Sequence, residues 1–230
     1  MTPEAQAAAL EATWPPAASW VLGPWRLRDG AGGGKRVSAA TAEGPWTEAD
    51  LVAAEAAMAA PLFTIRPQDG ALDVALAARG YAVIDPVVIY AAPTAQFTPS
   101  PRMAAFAHWP PLNIATDLWA EAGIGPARLA VMHRVQGHKI ALLGRSADRA
   151  AGVAFVALHG TTAMLHALEV APPYRRQGCA QNILRAAADW ASGHGADTLA
   201  LAVTEANHGA RALYASQGMR GVGQYHYRQK

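Results

Sequence analysis

The stretch that most limits how this chain can fold is a junction near residue 175. An apolar run, "MLHALEV" (164–170), gives way to Pro172 and Pro173, then to "YRRQGCA" (174–180), and then to an alanine-rich run reaching Gly193. Neither proline can donate to a sheet ladder, so a strand must stop there. Gly178 lets the backbone turn where a Cβ would obstruct it. Beyond it, in "CAQNILRAAADWA", apolar residues recur at three- and four-residue spacings, the pattern of an amphipathic helix. The junction therefore reads as strand, tight basic loop, helix. The first N–H groups of such a helix have no intrahelical partner and point at the loop. That arrangement suits a phosphate or pyrophosphate, with Arg175 and Arg176 as mobile cations at its edge. The alternative is an ordinary connection with solvated arginines.

The surrounding pattern is α/β. Residues 4–12 read as a short helix, and "WRLRDG" and "KRVSAAT" as strands around a glycine-rich connector, Gly30 to Gly34. Thr47 is placed to cap a helix over "EADLVAAEAAMAA", with acidic residues in its first turn. A strand at 62–65, a helix over about 70–79 ending at Gly80, and the strand-rich "YAVIDPVVIY" follow. The proline-punctuated 93–101 is the best boundary, dividing the chain into 1–97 and 98–230. The second part reads β-α-α-β-β-β-α-β-α-β, a sheet with helices between strands. A shift of 138 residues lays Asp69 on Asn207, Ala77 on Ala215 and Gly80 on Gly218. This is either a duplicated half-fold or two ordinary strand–helix–strand units.

Composition excludes several classes. A net charge of +2, from 19 basic and 17 acidic residues, is too small for a general nucleic-acid binder. One cysteine, Cys179, allows no intrachain disulfide. No run approaches the roughly 20 apolar residues of a membrane span, and the N-terminus lacks the pattern of a secretory signal, so a cytoplasmic location is expected. No compact histidine motif suggests a metal site.

The junction is neither a Rossmann fingerprint nor a P-loop, and "GAGGGKR" (30–36) fails the latter because Arg36 stands where Ser or Thr belongs. What it fits is R/Q-x-x-G-x-G/A, through Arg175, Gly178 and Ala180, after Val170-x-Pro172. Downstream, "NHGARALYASQGM" (207–219) supplies Asn-x-x-Ala-x-x-Leu-Tyr-x-x-x-Gly. This combination resembles the GCN5-related N-acetyltransferase (GNAT) superfamily over about 98–230. With the internal echo, the whole resembles a tandem form with a degenerate N-terminal lobe.

The resemblance implies a GNAT-like mixed sheet flanked by helices and acetyl-coenzyme A as acyl donor. It implies that main-chain amides of Arg175, Arg176, Gln177, Gly178, Cys179 and Ala180 wrap the pyrophosphate. Leu168 and Val170, on the splayed strand, would pair with the pantetheine arm, and Asn207 would touch the coenzyme. Ala180 replaces the commoner second glycine, which the pattern allows. Tyr214 falls where the family keeps the tyrosine that protonates the departing thiolate.

Glu169, the polar residue in an apolar strand, is the candidate general base, with Glu205, His166 and His226 as competitors. Cys179 falls at a variable position of the loop, lacks a His/Asn framework and does not read as a nucleophile. Trp109, Trp119 and "YHYR" (225–228) are either core or the lining of an acceptor pocket. Arg26, Arg28, Lys35 and Arg36 read as a solvated strand edge, with an acidic acceptor as the alternative. The expected reaction is direct transfer of acetyl to a primary amine, on a small molecule or a peptide. The alternatives are a non-catalytic acyl-coenzyme A sensor and a transferase for another acyl group.

Overall fold

The computed structural model describes Met1–Lys230. The first part holds α1 (Pro3–Thr13), β1 (Ala18–Leu22), β2 (Trp25–Asp29), β3 (Thr41–Ala42), α2 (Glu48–Ala57), β4 (Leu62–Ile65), α3 (Gly70–Ala78) and β5 (Ala82–Pro93). The second holds β6 (Ala105–His108), α4 (Asn113–Glu121), α5 (Pro126–Arg134), β7 (Lys139–Ser146), β8 (Arg149–His159) and β9 (Thr162–Val170). It closes with α6 (Cys179–Gly193), β10 (Thr198–Thr204), α7 (His208–Ser216) and β11 (Arg220–Gln229). No helix is long and apolar enough to cross a membrane.

Eight strands form one mixed sheet in the order β4-β11-β5-β10-β9-β8-β7-β6, and β1-β2-β3 form a separate small antiparallel sheet. Helices cover both faces of the large sheet. On one, Ile183, Leu184, Ala187 and Tyr214 of α6 and α7 bury Ala154, Val156, Leu165 and Leu201. On the other, Trp119, Val131 and Met132 of α4 and α5 join Trp14 over Val153, Phe155 and Ala157. Ala9 of α1 packs on Met164, Ala91 and Ala200 on the same side. Burial of this apolar surface is the main stabilising term.

Local sequence chemistry explains most element ends. Thr47 and Asp50 exchange bonds across the first turn of α2, Thr47 N–H donating to Asp50 Oδ2 (2.8 Å) and Asp50 N–H to Thr47 Oγ1 (3.3 Å). Pro126 opens α5, where its missing N–H costs nothing. Two readings of the N-terminal region differ from the sequence expectation. Residues 35–41 do not form a strand: Lys35–Val37 is a 3-10 turn and only Thr41–Ala42 is extended. Gly34 at φ +101° and the Ser38 hydroxyl bonded to Gly34 O curl this segment instead, which turns Arg36 inward. The hairpin partner β1 has no sequence signal, because its residues are nearly all exposed and give no alternation.

The boundary near residue 97 does not divide the large sheet. β5 lies antiparallel to both β10 and β11, and β4 pairs with β11. The 138-residue shift lays Gly70–Ala78 on His208–Ser216 and the start of β5 on the start of β11. The two strand–helix–strand units thus exchange strands: the last strand of each pairs with the first strand of the other.

β10 and β11 have no bond to each other without β5, whose Val87, Ile89 and Tyr90 are covered on both faces. A fragment of residues 98–230 should therefore expose two apolar edges and fail to give a soluble, cooperatively folding protein. Size-exclusion chromatography and thermal unfolding check this; a well-behaved active fragment would show that β5 is dispensable.

Candidate active site

The site begins with a parting of strands. β9 and β10 run parallel and paired only from Thr198↔Thr162 to Leu201↔Leu165; beyond that they separate. The cause lies on the other edge of β9. Between Phe155↔His166 and Val153↔Glu169, two residues of β9, Ala167 and Leu168, oppose Ala154 of β8. This is a β-bulge, which bends its strand and increases its twist. Ala167 takes φ +50°, a left-handed conformation that costs a residue with a Cβ about 1–2 kcal/mol. The indole N–H of fully buried Trp119 donates to Ala167 O at 2.8 Å and fixes the distortion.

Past the bulge the strand has an open edge. Ala171 N–H bonds to Ala151 O at 2.9 Å. By strand alternation, the main-chain groups of Leu168 and Val170 face the gap toward β10. Arg175 Nε caps one of them, donating to Val170 O at 2.9 Å. Arg175 is thus tied to the strand end, while Arg176, at φ +63°, stands in solvent.

Gly178 turns the chain into α6 at φ +84° and brings no side-chain cap. The N–H groups of Arg176, Gln177, Gly178, Cys179, Ala180 and Gln181 find no acceptor within the chain; the first helical bond runs from Asn182 to Gly178 O at 3.0 Å. A row of free amides at a helix N-terminus is a ready anion cradle. The Gln177 side chain braces the loop from behind, accepting from Ser146 Oγ (2.8 Å) and donating to Pro173 O (3.0 Å). The Cys179 thiol points into the core, where burial pushes its pKa up to about 11. A thiol held that far from thiolate is no nucleophile.

Glu169 and Tyr214 approach the gap from opposite faces. Leu168 and Val170 pack on the α6 side, so Glu169, the first residue past the bulge, faces the side of α5. Its carboxyl is half-buried; burial raises its pKa, against the pull of Arg175 and Arg128. Tyr214 lies in the α6–α7 core with its ring 5.9 Å from that of Tyr90 on β5. Its hydroxyl makes no bond within the chain. Burial raises its pKa, and the Glu169 charge adds to this. Asn207 caps α7, its Oδ1 accepting from Ala210 N–H at 3.1 Å, and leaves its side-chain amide nitrogen free.

Of the competing bases, two are already committed elsewhere. His226 bonds to Asp73 Oδ1 at 2.9 Å, on the far side of β11. His166 is buried, and each ring nitrogen has a partner: Nδ1 lies 3.2 Å from Arg36 Nη1 and Nε2 lies 2.9 Å from Thr13 Oγ1. Arginine can only donate, so Nδ1 accepts and Nε2 carries the proton. The Thr13 hydroxyl passes its own hydrogen on to Ala9 O at 2.6 Å. Burial, and then Arg36, drive the His166 pKa well below its usual value, which keeps the ring neutral. Glu205 is exposed at the end of β10.

A cavity of about 660 Å³ lies on the face away from α6, between α1, the β2–β3 region and β11. Sequence reasoning named its Arg26, Arg28, Arg36, Tyr225 and Tyr227, but not Trp14 or the role of α1. Trp119 and Trp109 belong to the α4–α5 core.

The sequence matches a family profile described as "Acetyltransferase (GNAT) family" over residues 103–219, about half of the chain. The chain belongs to the GNAT acetyltransferase family. The whole fold is similar to a GCN5-related N-acetyltransferase from Kribbella flavida, at 17% identity and TM-score 0.72, covering 98% of this chain and 94% of that one. It is also similar to a functionally unknown conserved protein from Staphylococcus epidermidis, at 12% identity and TM-score 0.68, covering 94% of each. A tandem GNAT protein from the clavulanic acid biosynthesis pathway matches at 15% identity and TM-score 0.61, covering 96% of this chain and 86% of that one. At these identities the likeness is one of fold. No curated protein matches the sequence.

Gly178→Asp tests the loop. No atom lies within 4 Å of a Cβ built there, and Asp tolerates left-handed backbone better than most residues, so the fold should survive. The new carboxylate would sit among the free amides. Calorimetry with coenzyme A should show binding lost in a mutant of native circular dichroism.

Proposed function

We propose that this protein transfers an acetyl group from acetyl-coenzyme A to a primary amine by direct attack. The observation that carries the reading is the pairing of a parted β9–β10 edge with six unpartnered amides at the start of α6. An extended arm that ends in a diphosphate fits both: the strand edge at Leu168 and Val170 takes the arm, and the loop Arg175–Ala180 takes the phosphates. Asn207, with its free amide nitrogen, contacts the same ligand from α7. The bound thioester supplies an activated acyl carbon and a thiolate leaving group.

The chain's own groups move the protons. Glu169 draws a proton from the acceptor amine, directly or through water, from the α5 side of the sheet. Tyr214, on the α7 side, gives its hydroxyl proton to the sulfur as the carbon–sulfur bond breaks and the carbon–nitrogen bond forms. Its raised pKa keeps it protonated until then. The low reactivity of Cys179 supports a route without an acyl-enzyme. An exposed loop and an open strand edge would serve a coenzyme sensor equally well. A free tyrosine hydroxyl that feels the charge of a half-buried carboxylate favours the enzyme.

Tyr214→Phe keeps the ring against Tyr90 and removes no existing bond, so stability and donor affinity should stay near wild type. Turnover in a coenzyme-release assay should fall by about 10²–10⁴-fold, the usual range for lost general-acid help. Full turnover in this mutant would remove Tyr214 from the chemistry.

Glu169 sets the pH dependence. As a base it works only when ionised, and burial raises its pKa, so kcat/KM should climb with pH through a value above that of a solvent-exposed glutamate. Glu169→Gln should lower kcat/KM and abolish that acidic limb. A mutant that keeps the limb would show that another group titrates.

A further inference from the structure

The cavity beneath α1 carries one cation that the protein leaves without a counter-charge. Four arginines line it. Arg28 pairs with Glu11 at 2.7 Å, Arg26 with Glu43 at 3.9 Å, and Arg66 with Asp69 at 2.9 Å. Arg36 meets no carboxylate: its Nε donates to Tyr225 Oη and its Nη1 to His166 Nδ1, each at 3.2 Å. His166 is neutral there, and the guanidinium's other neighbour is a second tyrosine, Tyr227, not an acid. The remaining acid of the cavity, Glu4, sits exposed at its outer rim. Holding a half-buried guanidinium against two tyrosines and a neutral histidine without an anion is costly, and an anionic ligand would relieve it.

The location is as informative as the charge. His166, which Arg36 touches, is the first residue of β9 beyond its last pair with β10. Ile89, Gln224 and Tyr225 line the cavity at the level of Ala202–Thr204, where the strands have parted. Arg36 therefore joins the cavity to the strand that borders the gap, on the face opposite α6 and α7.

We propose that this cavity is the acceptor site and that the acceptor is an amine carrying a carboxylate, held by Arg36 with its amine directed to the gap. This rests on the transferase reading above. One unmatched positive charge fits a carboxylate rather than a dianionic phosphate. The short step from Arg36 through His166 to the gap calls for an amine close to the acid, as in an amino acid. The 660 Å³ volume leaves room for its side chain between α1 and Tyr225 and Tyr227.

The test compares amino acids, and β-alanine, with their carboxamides in a coenzyme-release assay on the full chain. Wild type should prefer acid over amide by about 10–100-fold in kcat/KM, the equivalent of one hydrogen bond to a charged group. Arg36→Gln should erase that preference through KM, with acetyl-coenzyme A affinity by calorimetry unchanged. Arg36→Lys should retain part of it. Equal use of acid and amide by wild type overturns the proposal without any mutant, and so does a loss in Arg36→Gln shared equally by both. If acetyl-coenzyme A binds but no amine releases coenzyme, the transferase reading fails. The anion site is then judged by calorimetric titration of the same acids. Binding by wild type that Arg36→Gln abolishes upholds it, and no binding overturns it.

Discussion

The bond from the Trp119 indole to Ala167 O sits at the root of the site. Without the bulge it stabilises, β9 would continue alongside β10 and the sheet would close, leaving no unpaired edge at Leu168 and Val170. The same extra residue resets the alternation. His166 and Ala167 both face the α1–α4 side, and Glu169 then falls on that side too, while Leu168 and Val170 pack toward α6. One left-handed alanine thus opens the gap and aims the carboxylate. Strain of this kind persists where the surroundings over-determine it, and a fully buried tryptophan wedged beneath the strand does so here.

Legibility from sequence followed the kind of signal involved. The loop at 174–180 was legible because prolines, a glycine and a helical period each leave a residue-type signature. So was Asn207, picked out by its motif and found at the start of α7, and so was Glu169, the polar residue of an apolar strand, which lies on the face opposite Leu168 and Val170. The bulge itself was not, because an alanine at positive φ looks like any other alanine. The segment at 35–41 alternates well enough to suggest a strand, yet Gly34 and Ser38 curl it into a turn. That error concealed Arg36, which was read with its exposed neighbours and is in fact turned toward His166. The histidines show the same limit: their partners lie 153 residues away in each case, Asp73 for His226 and Thr13 for His166, beyond any local pattern.

The exchange of strands between the two strand–helix–strand units explains why the first 97 residues cannot be treated as an appendage. A division near residue 97 is a reasonable proposal for how the chain arose, with each half contributing one such unit. It does not describe how the sheet is held, because β5 is the sole lateral support of β10 on that side and β11 is attached only through β5 and β4. Since β10 forms one wall of the gap, the stiffness of that wall comes from the N-terminal half.

β5 also reaches both faces of the sheet. Tyr90 points to the α7 side and meets Tyr214, while Ile89 points the other way and lines the cavity under α1. On the reading proposed here, the donor enters from the α6 end and the acceptor from the α1 side, so the sheet is a partition and the β9–β10 gap its only opening for chemistry. Two substrates separated in this way can meet only where the strands part, which favours direct attack over relay through an enzyme nucleophile. The one thiol nearby is consistent with that: Cys179 is packed against Gly144 and Gly152 on the inner side of α6, where an added Cβ on either glycine would crowd its sulfur. Its contribution is to let α6 lie close to β7 and β8, and this closeness in turn presents the helix N-terminus, with its free amides, at the end of β9.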